Sequence, residues 1–91
     1  MNKIKLGNVI QELRLKRKKW TQKELAKATG FKHLSISQIE TGFRGASNIS
    51  VMFLAEALDV PFSYIYLLSE TTDDPEVKRL QGIVRTTLGL D

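Results

Sequence analysis

The sequence predicts an all-α domain, and three observations predict it. Apolar residues recur at three- and four-residue spacing along the 91-residue chain, helix-start and helix-stop residues punctuate those runs, and no segment alternates as a half-buried strand does. A chain of this length supports one small core, near the lower end at which packing alone suffices. The first helix is expected from about Lys5 to Lys18, with Leu6, Val9, Ile10 and Leu13 as its buried stripe. Trp20 precedes the good N-cap Thr21 and is read as a hydrophobic staple onto the second helix. There Leu25, Ala26, Ala28 and Thr29 line one side while Lys23, Glu24 and Lys27 stay wet. Gly30 stops that helix by supplying a left-handed conformation, and the chain restarts as FKHLSISQIE, with Ile36 and Ile39 on one face. TGFRGAS is a loop. Ser47 or Ser50 caps a fourth helix ending near Leu58, with Val51, Leu54, Ala55 and Leu58 inward, and Pro61 opens a fifth. Glu70 to Asp74 is polar and reads as a linker. Asp74-Pro75-Glu76 then starts a sixth helix carrying Val77, Leu80, Ile83, Val84 and Leu88 on one side. Two parts are expected: residues 1–69, and 70–91 as linker and C-terminal helix for packing or dimerisation.

The net charge of +4 hides a sharp split. Residues 1–44 carry eleven Lys or Arg against Glu12, Glu24 and Glu40, a balance of +8; residues 45–91 carry three against seven acids, a balance of −4. A polyanion suits the first surface, because neutralising phosphates releases condensed counterions. A Lys-rich segment is more often a solvated face, and cations also suit the last turn of the first helix electrostatically. Cysteine is absent and His33 is the sole histidine, so neither a disulfide framework nor a His/Cys metal site is expected, and no cofactor is implied. No apolar run approaches a membrane span and no signal peptide is evident, which points to a cytoplasmic protein.

The stretch from Thr21 to Glu40 decides the class: two short amphipathic runs meeting at Gly30 form a helix-turn-helix, whose second helix suits the DNA major groove. The chain resembles the Cro and phage-repressor family, the lambda-repressor-like domains. The matching residues are Ile10, Leu13 and Arg14, then Thr21-Gln22, Glu24-Leu25-Ala26 and Gly30, then Ile36-Ser37, Ile39-Glu40 and Gly42, and finally Leu54-Ala55, Ala57-Leu58 and Val60. The resemblance covers roughly residues 4 to 68 and is far more specific than an isolated motif. It implies a five-helix lambda-repressor-like fold, with the sixth helix outside it, in a bacterial or phage protein. It also implies an internal salt bridge between Arg14 and Glu40, although Arg14 to Thr21 holds one residue more than the commonest family spacing. Phe62, Ile65 and Tyr66 match its core positions. Asn48 stands where the family is usually apolar, so Ile49 is expected to fill that space.

Helical geometry gives a reading face at ~100° per residue. With Ile36 and Ile39 inward, and Lys32 near their direction, the opposite face of the third helix holds Leu34, Ser37, Gln38 and Thr41, with His33 on the flank at its N-terminal end. The resemblance assigns base reading to His33, Leu34, Ser37 and Gln38. Gln38 has the amide chemistry for a bidentate pair with adenine, and Leu34 suits a thymine methyl or packs on helix two or four. His33 either donates to a guanine acceptor, touches phosphate, or is a passive surface group. Phosphate contacts are expected from Gln22, a family phosphate position at a helix N-terminus, from Lys32 and the loop residue Arg44, and more weakly from Lys19 and Lys23.

Such modules bind as two-fold dimers on half-sites ~34–36 Å apart, so a homodimer on double-stranded DNA is expected. Phe53 and Tyr64, where the family is normally polar, together with Leu67 and Leu68 are the interface candidates. One histidine, no cysteine and no glycine-rich phosphate cradle leave little for an enzyme, and no segment is large enough for a small-molecule pocket. The expected function is a transcriptional repressor acting on a palindromic operator through helix three. The alternatives are a controller protein of a restriction-modification system, or an antitoxin or adaptor working through its C-terminal half.

Overall fold

Side chains that satisfy the unpaired N–H groups of a first turn set where each helix begins. In the computed structural model, which describes residues 2–91, Asn2 Oδ1 accepts from the amides of Ile4 and Lys5 at 3.0 and 3.1 Å. Met1, the first residue of the amino-terminal segment read above, lies outside the described residues. The Asn2 cap starts α1 (Lys3–Glu12) two residues earlier than its apolar stripe suggested. Thr21 and Glu24 form a reciprocal capping box for α2 (Gln22–Thr29). After α3 (His33–Thr41), Ser47 Oγ accepts the Ser50 amide to start α4 (Asn48–Leu58). Pro61 precedes α5 (Phe62–Ser69), and Asp74 caps α6 (Pro75–Thr87), with proline at its first position. All regular structure among the described residues is helical.

α1 is the central element and packs against both α3 and α5. Leu6, Ile10 and Leu13 are fully buried with Leu25, Ile36, Val51, Leu54, Leu58 and Ile65, so every one of the first five helices contributes to one core. The crossing of α1 and α3 is unusually close. A Cβ at Gly7 would sit 2.4 Å from the Ile39 carbonyl oxygen and 2.6 Å from that of Glu40, so backbone meets backbone there and no side chain fits.

Beyond Glu12 the chain does not simply continue as α-helix. Leu13–Lys18 form a π turn, closed by Lys19 in the left-handed region at φ 57° and by a 3.0 Å bond from the Trp20 amide to the Arg14 carbonyl. A π turn takes up one more residue than an α turn. The extra residue between Arg14 and Thr21 is thereby absorbed locally, with Arg14 still facing inward and α2 still starting at its cap.

The C-terminal segment closes over this π turn. Val84, Leu88 and Leu90 are buried in the same core, while Leu80 and Ile83, expected on the same stripe, face solvent. The Arg17 guanidinium donates to the carbonyls of Leu58, Asp59 and Leu88 at 3.2, 2.9 and 3.5 Å, joining the end of α4 to the end of α6. Lys16 donates to the Leu90 carbonyl at 3.1 Å, and Gln81 to that of Leu67 at 2.8 Å. Other expectations change with burial. Ile49 points to solvent instead of filling a gap, and the Asn48 side chain accepts from the Tyr66 hydroxyl at the surface. Phe62 is half exposed and Ala28 is exposed, since only Leu25 and Ala26 of α2 reach the interior.

Arg85 grips Glu12 with two hydrogen bonds of 3.2 and 2.7 Å, tying α6 to α1. Hydrogen bonding from Arg85, reinforced by the charges of Arg85 and Lys16 and opposed by partial burial, holds the Glu12 carboxyl below its ordinary range. A carboxyl with a depressed folded-state pKa stabilises fully above its unfolded value, and that contribution disappears as pH falls through the folded value. Glu12→Gln is therefore expected to cost up to about 1 kcal/mol at neutral pH, and the difference from wild type should shrink to nothing in acid. Denaturant unfolding over a pH series checks it; an equal deficit at both ends would contradict the assignment.

Candidate nucleic-acid interface

Gly30 makes the turn between α2 and α3. Its φ of +78° is strained for any residue with a Cβ, and its amide reaches back to the Ala26 carbonyl at 2.9 Å. The Phe31 amide then donates to Thr29 Oγ1 at 3.2 Å, which ties the turn back to the end of α2. α3 emerges with Ile36 and Ile39 buried against the core and its other side outward. His33, Leu34 and Thr41 are exposed, while Ser37 and Gln38 are half-buried. Leu34 is 65% exposed and so packs on neither α2 nor α4. Lys32, which a helical wheel puts near the core direction, is exposed: it is the N-cap residue with extended backbone, outside the periodicity of the helix. Its side chain makes no capping bond, so α3 begins without the side-chain acceptor that α2 and α4 have.

Beneath this face lies a buried charged network. Arg14 and Glu40 are 6% and 5% exposed and meet through two hydrogen bonds, Nε to Oε2 at 2.6 Å and Nη2 to Oε1 at 2.9 Å. This fork geometry offsets the cost of removing both charges from water. The third guanidinium nitrogen, Nη1, donates to the Trp20 carbonyl at 2.8 Å. Gln22 Nε2 donates to Glu40 Oε1 at 3.1 Å, and Gln22 Oε1 lies 3.1 Å from His33 Nε2. One continuous chain of contacts therefore links the π turn after α1, the first residue of α2, the first residue of α3 and the last turn of α3. No buried side-chain polar atom is left without a partner among the described residues.

Cations rim the site. Lys19 and Lys23 are exposed beside an open groove of about 660 Å³ lined by Arg14, Lys19, Trp20, Gln22, Lys23 and His33. Trp20 packs partly against the core and carries Lys18 Nζ 5.2 Å above its ring, which fits its reading as a structural residue. Arg44 is exposed in the loop after α3, and its amide donates to the Gln38 carbonyl at 3.3 Å, which holds the loop close to the reading helix. The first helix's cation cluster divides differently from its sequence: Arg14, Lys16 and Arg17 bond within the chain. Among the described residues, no His, Cys, Asp or Glu grouping is arranged to hold a metal, and no single helix is long and apolar enough to cross a membrane.

A family model described as helix-turn-helix matches residues 10–65, which span the core, the turn and the reading helix. The chain belongs to the helix-turn-helix family. Members are DNA-binding regulatory domains of the Cro and phage-repressor type, not enzymes. A curated relative, the competence pilus inhibition repressor of Acinetobacter baylyi, is 36% identical over 69 residues, covering 76% of this chain. The alignment spans 62% of that relative's length. No solved structure matches the chain significantly.

The interface candidates fall in different places in this helix-turn-helix domain. Phe53 is half exposed and meets Phe31 edge to face, with ring centroids 6.2 Å apart. Tyr64 and Leu67 are half-buried, and Leu68 is only 7% exposed inside the chain's own core, which removes it from any outward surface. Sequence reasoning missed Ile49, Met52 and Phe62, which join Phe53 around a shallow apolar depression on α4 and α5. Their spacing was legible as apolar. That Ile49 and Met52 on the outer side of α4 come together with Phe62 of α5 was not, because it depends on how the two helices pack.

The Arg14–Glu40 pair is the most sensitive point of this arrangement. Arg14→Leu, which leaves Glu40 buried and without its charged partner, is expected to cost about 3–5 kcal/mol. Denaturant unfolding measures it; a loss below 1 kcal/mol, on the order of an exposed pair, would show the network to be incidental.

Proposed function

We propose that the protein is a transcriptional repressor that binds a palindromic operator as a homodimer, with α3 in the major groove. The observation that carries the reading is the outward face of α3: His33 and Leu34 lie open at its start, and Ser37 and Gln38 follow on the same side, half-buried. Gln22 at the start of α2 and the cations Lys19, Lys23, Lys32 and Arg44 surround that face, the disposition expected of phosphate contacts flanking base readout. The repressor named in Acinetobacter baylyi supports the same sense of regulation. Under this reading residues 1–69 form the DNA-binding part, residues 70–91 brace it, the partner is double-stranded DNA, and the protein works in the cytoplasm.

Exposed Leu34 has the chemistry for a thymine methyl, and Gln38 for a bidentate pair with adenine. A two-fold operator requires a second copy, and the apolar surface of α4 and α5 supports one. Ile49, Met52, Phe53 and Phe62 are each about half exposed or more, an unusual grouping for a surface that meets only water. Tyr64 and Leu67 are half-buried and lie outside the lining of that depression.

Two measurements test the parts separately. In titrations of duplexes at several salt concentrations, Gln38→Ala should lose ~1–3 kcal/mol of discrimination at one base pair per half-site. Arg44→Ala should weaken all sequences alike and lower the salt slope by about one. The opposite assignment of effects would overturn these roles, and uniformly poor binding to every duplex would overturn the function itself. For the dimer, Phe53→Ser combined with Phe62→Ser should convert dimers to monomers in sedimentation while leaving the helical content intact. An unchanged mass excludes this surface.

A further inference from the structure

His33 is the sole histidine of the chain and the first residue of the reading helix. What it offers a base depends on which ring nitrogen carries the proton, since a neutral imidazole has one donor and one acceptor. The buried network beneath it decides the matter by elimination. Glu40, ionised in its fork with Arg14, is an acceptor only. Gln22 must therefore turn its amide NH₂ toward Glu40, as the 3.1 Å contact from Nε2 to Oε1 has it. Its carbonyl oxygen, Oε1, is left facing His33 Nε2 at 3.1 Å. An amide oxygen only accepts, so Nε2 must donate. The proton of the neutral ring then sits on Nε2, and Nδ1 keeps its lone pair. Nδ1 makes no hydrogen bond among the described residues, and His33 is exposed.

We infer that Glu40, acting through Gln22, holds neutral His33 as the Nε2–H tautomer, so that its Nδ1 lone pair reads DNA as a hydrogen-bond acceptor. The part concerning DNA rests on the groove-binding role proposed above. In the major groove the groups that donate are the amino groups of adenine N6 and cytosine N4, whereas guanine presents N7 and O6 as acceptors. His33 so held selects adenine or cytosine at the position it meets and turns away the guanine contact that a freely rotating or Nδ1–H imidazole makes. Gln22 and Glu40 are positioning residues here. Each acts on the base through the ring, and Gln22 retains one amide N–H that no protein group takes, in the place where a phosphate oxygen passes a helix N-terminus.

A single histidine makes the test direct. Long-range ¹H–¹⁵N correlation on ¹⁵N-labelled protein without DNA, at a mildly alkaline pH where imidazole is neutral, should show a protonated Nε2 and an unprotonated Nδ1 as one unmixed pattern. Gln22→Met keeps the length and helix preference of the side chain but removes both hydrogen bonds, and should return His33 to a mixture of tautomers. The rest of the spectrum shows that the variant is folded. A dominant Nδ1–H form, or a pattern that Gln22→Met leaves unchanged, overturns the inference with no reference to DNA. In duplexes differing only at the base pair His33 meets, the wild type should prefer adenine or cytosine on that strand by about tenfold, and His33→Ala should lose the preference. A preference for guanine that His33→Ala abolishes also overturns it. Failure of every duplex to bind would sink the groove-binding role and the base-reading part with it, while the spectrum of the free protein still decides the tautomer.

Discussion

The buried pair of Arg14 and Glu40 is the constraint on which the rest of the structure depends. It joins the π turn after α1 to the last turn of α3, and its surplus hydrogen-bonding capacity recruits Trp20 and Gln22. Two charges removed from water are tolerated only when they are paired and further hydrogen bonds surround them, and here every buried side-chain nitrogen and oxygen among the described residues has at least one partner. The close crossing at Gly7 brings α1 near enough to α3 for the pair to form, so backbone geometry and electrostatics reinforce each other. The orientation of the reading helix is thus set from below by the core and from one end by a charged lock.

That lock explains an oddity of the local backbone. An additional residue between Arg14 and Thr21 would displace the cap of α2 if the helix simply ran on. The π turn absorbs it, and the left-handed Lys19 returns the chain to the direction α2 needs. The same turn then serves as a docking platform. Its widened, cation-rich surface meets the carbonyl ends of α4 and α6, where the partial negative charge of a helix terminus attracts Arg17 and Lys16. Charge that reads in sequence as one block is split by the fold into cations that bond within the chain and cations that remain at the rim of α3.

The functional face is a consequence of how little covers it. Ile36, Ile39 and Glu40 are the residues of α3 that the core takes up, and His33, Leu34 and Thr41 are left exposed. Leu34 is the telling residue. An apolar side chain left 65% exposed on an otherwise polar surface costs something in water, and a base methyl is the kind of partner that recovers it. The apolar grouping on α4 and α5 poses the same question at the opposite functional level, contact with protein instead of nucleic acid.

Local sequence by itself determined the number of α-helices, the caps of α2, α4 and α6, the stop at Gly30 and the inward stripes of the first four helices, because these follow from periodicity and from side chains bonding to backbone within a few residues. Thr21 with Glu24, Ser47, and Asp74 with Pro75 were legible for that reason. Tertiary structure alone decided what depends on residues far apart in the chain. It placed Leu68 and Leu90 in the core, left Ile49 and Phe62 outside it, turned Arg17 inward to the α4 and α6 carbonyls, and set Gln22 between Glu40 and His33. Periodicity picked out the inward stripe of α4, Val51, Leu54, Ala55 and Leu58, but it does not say where the outer apolar residues of α4 and α5 meet. Nor does a pattern reveal which cation finds a carbonyl some 40 or 70 residues away, since that is fixed by where the packed helices end.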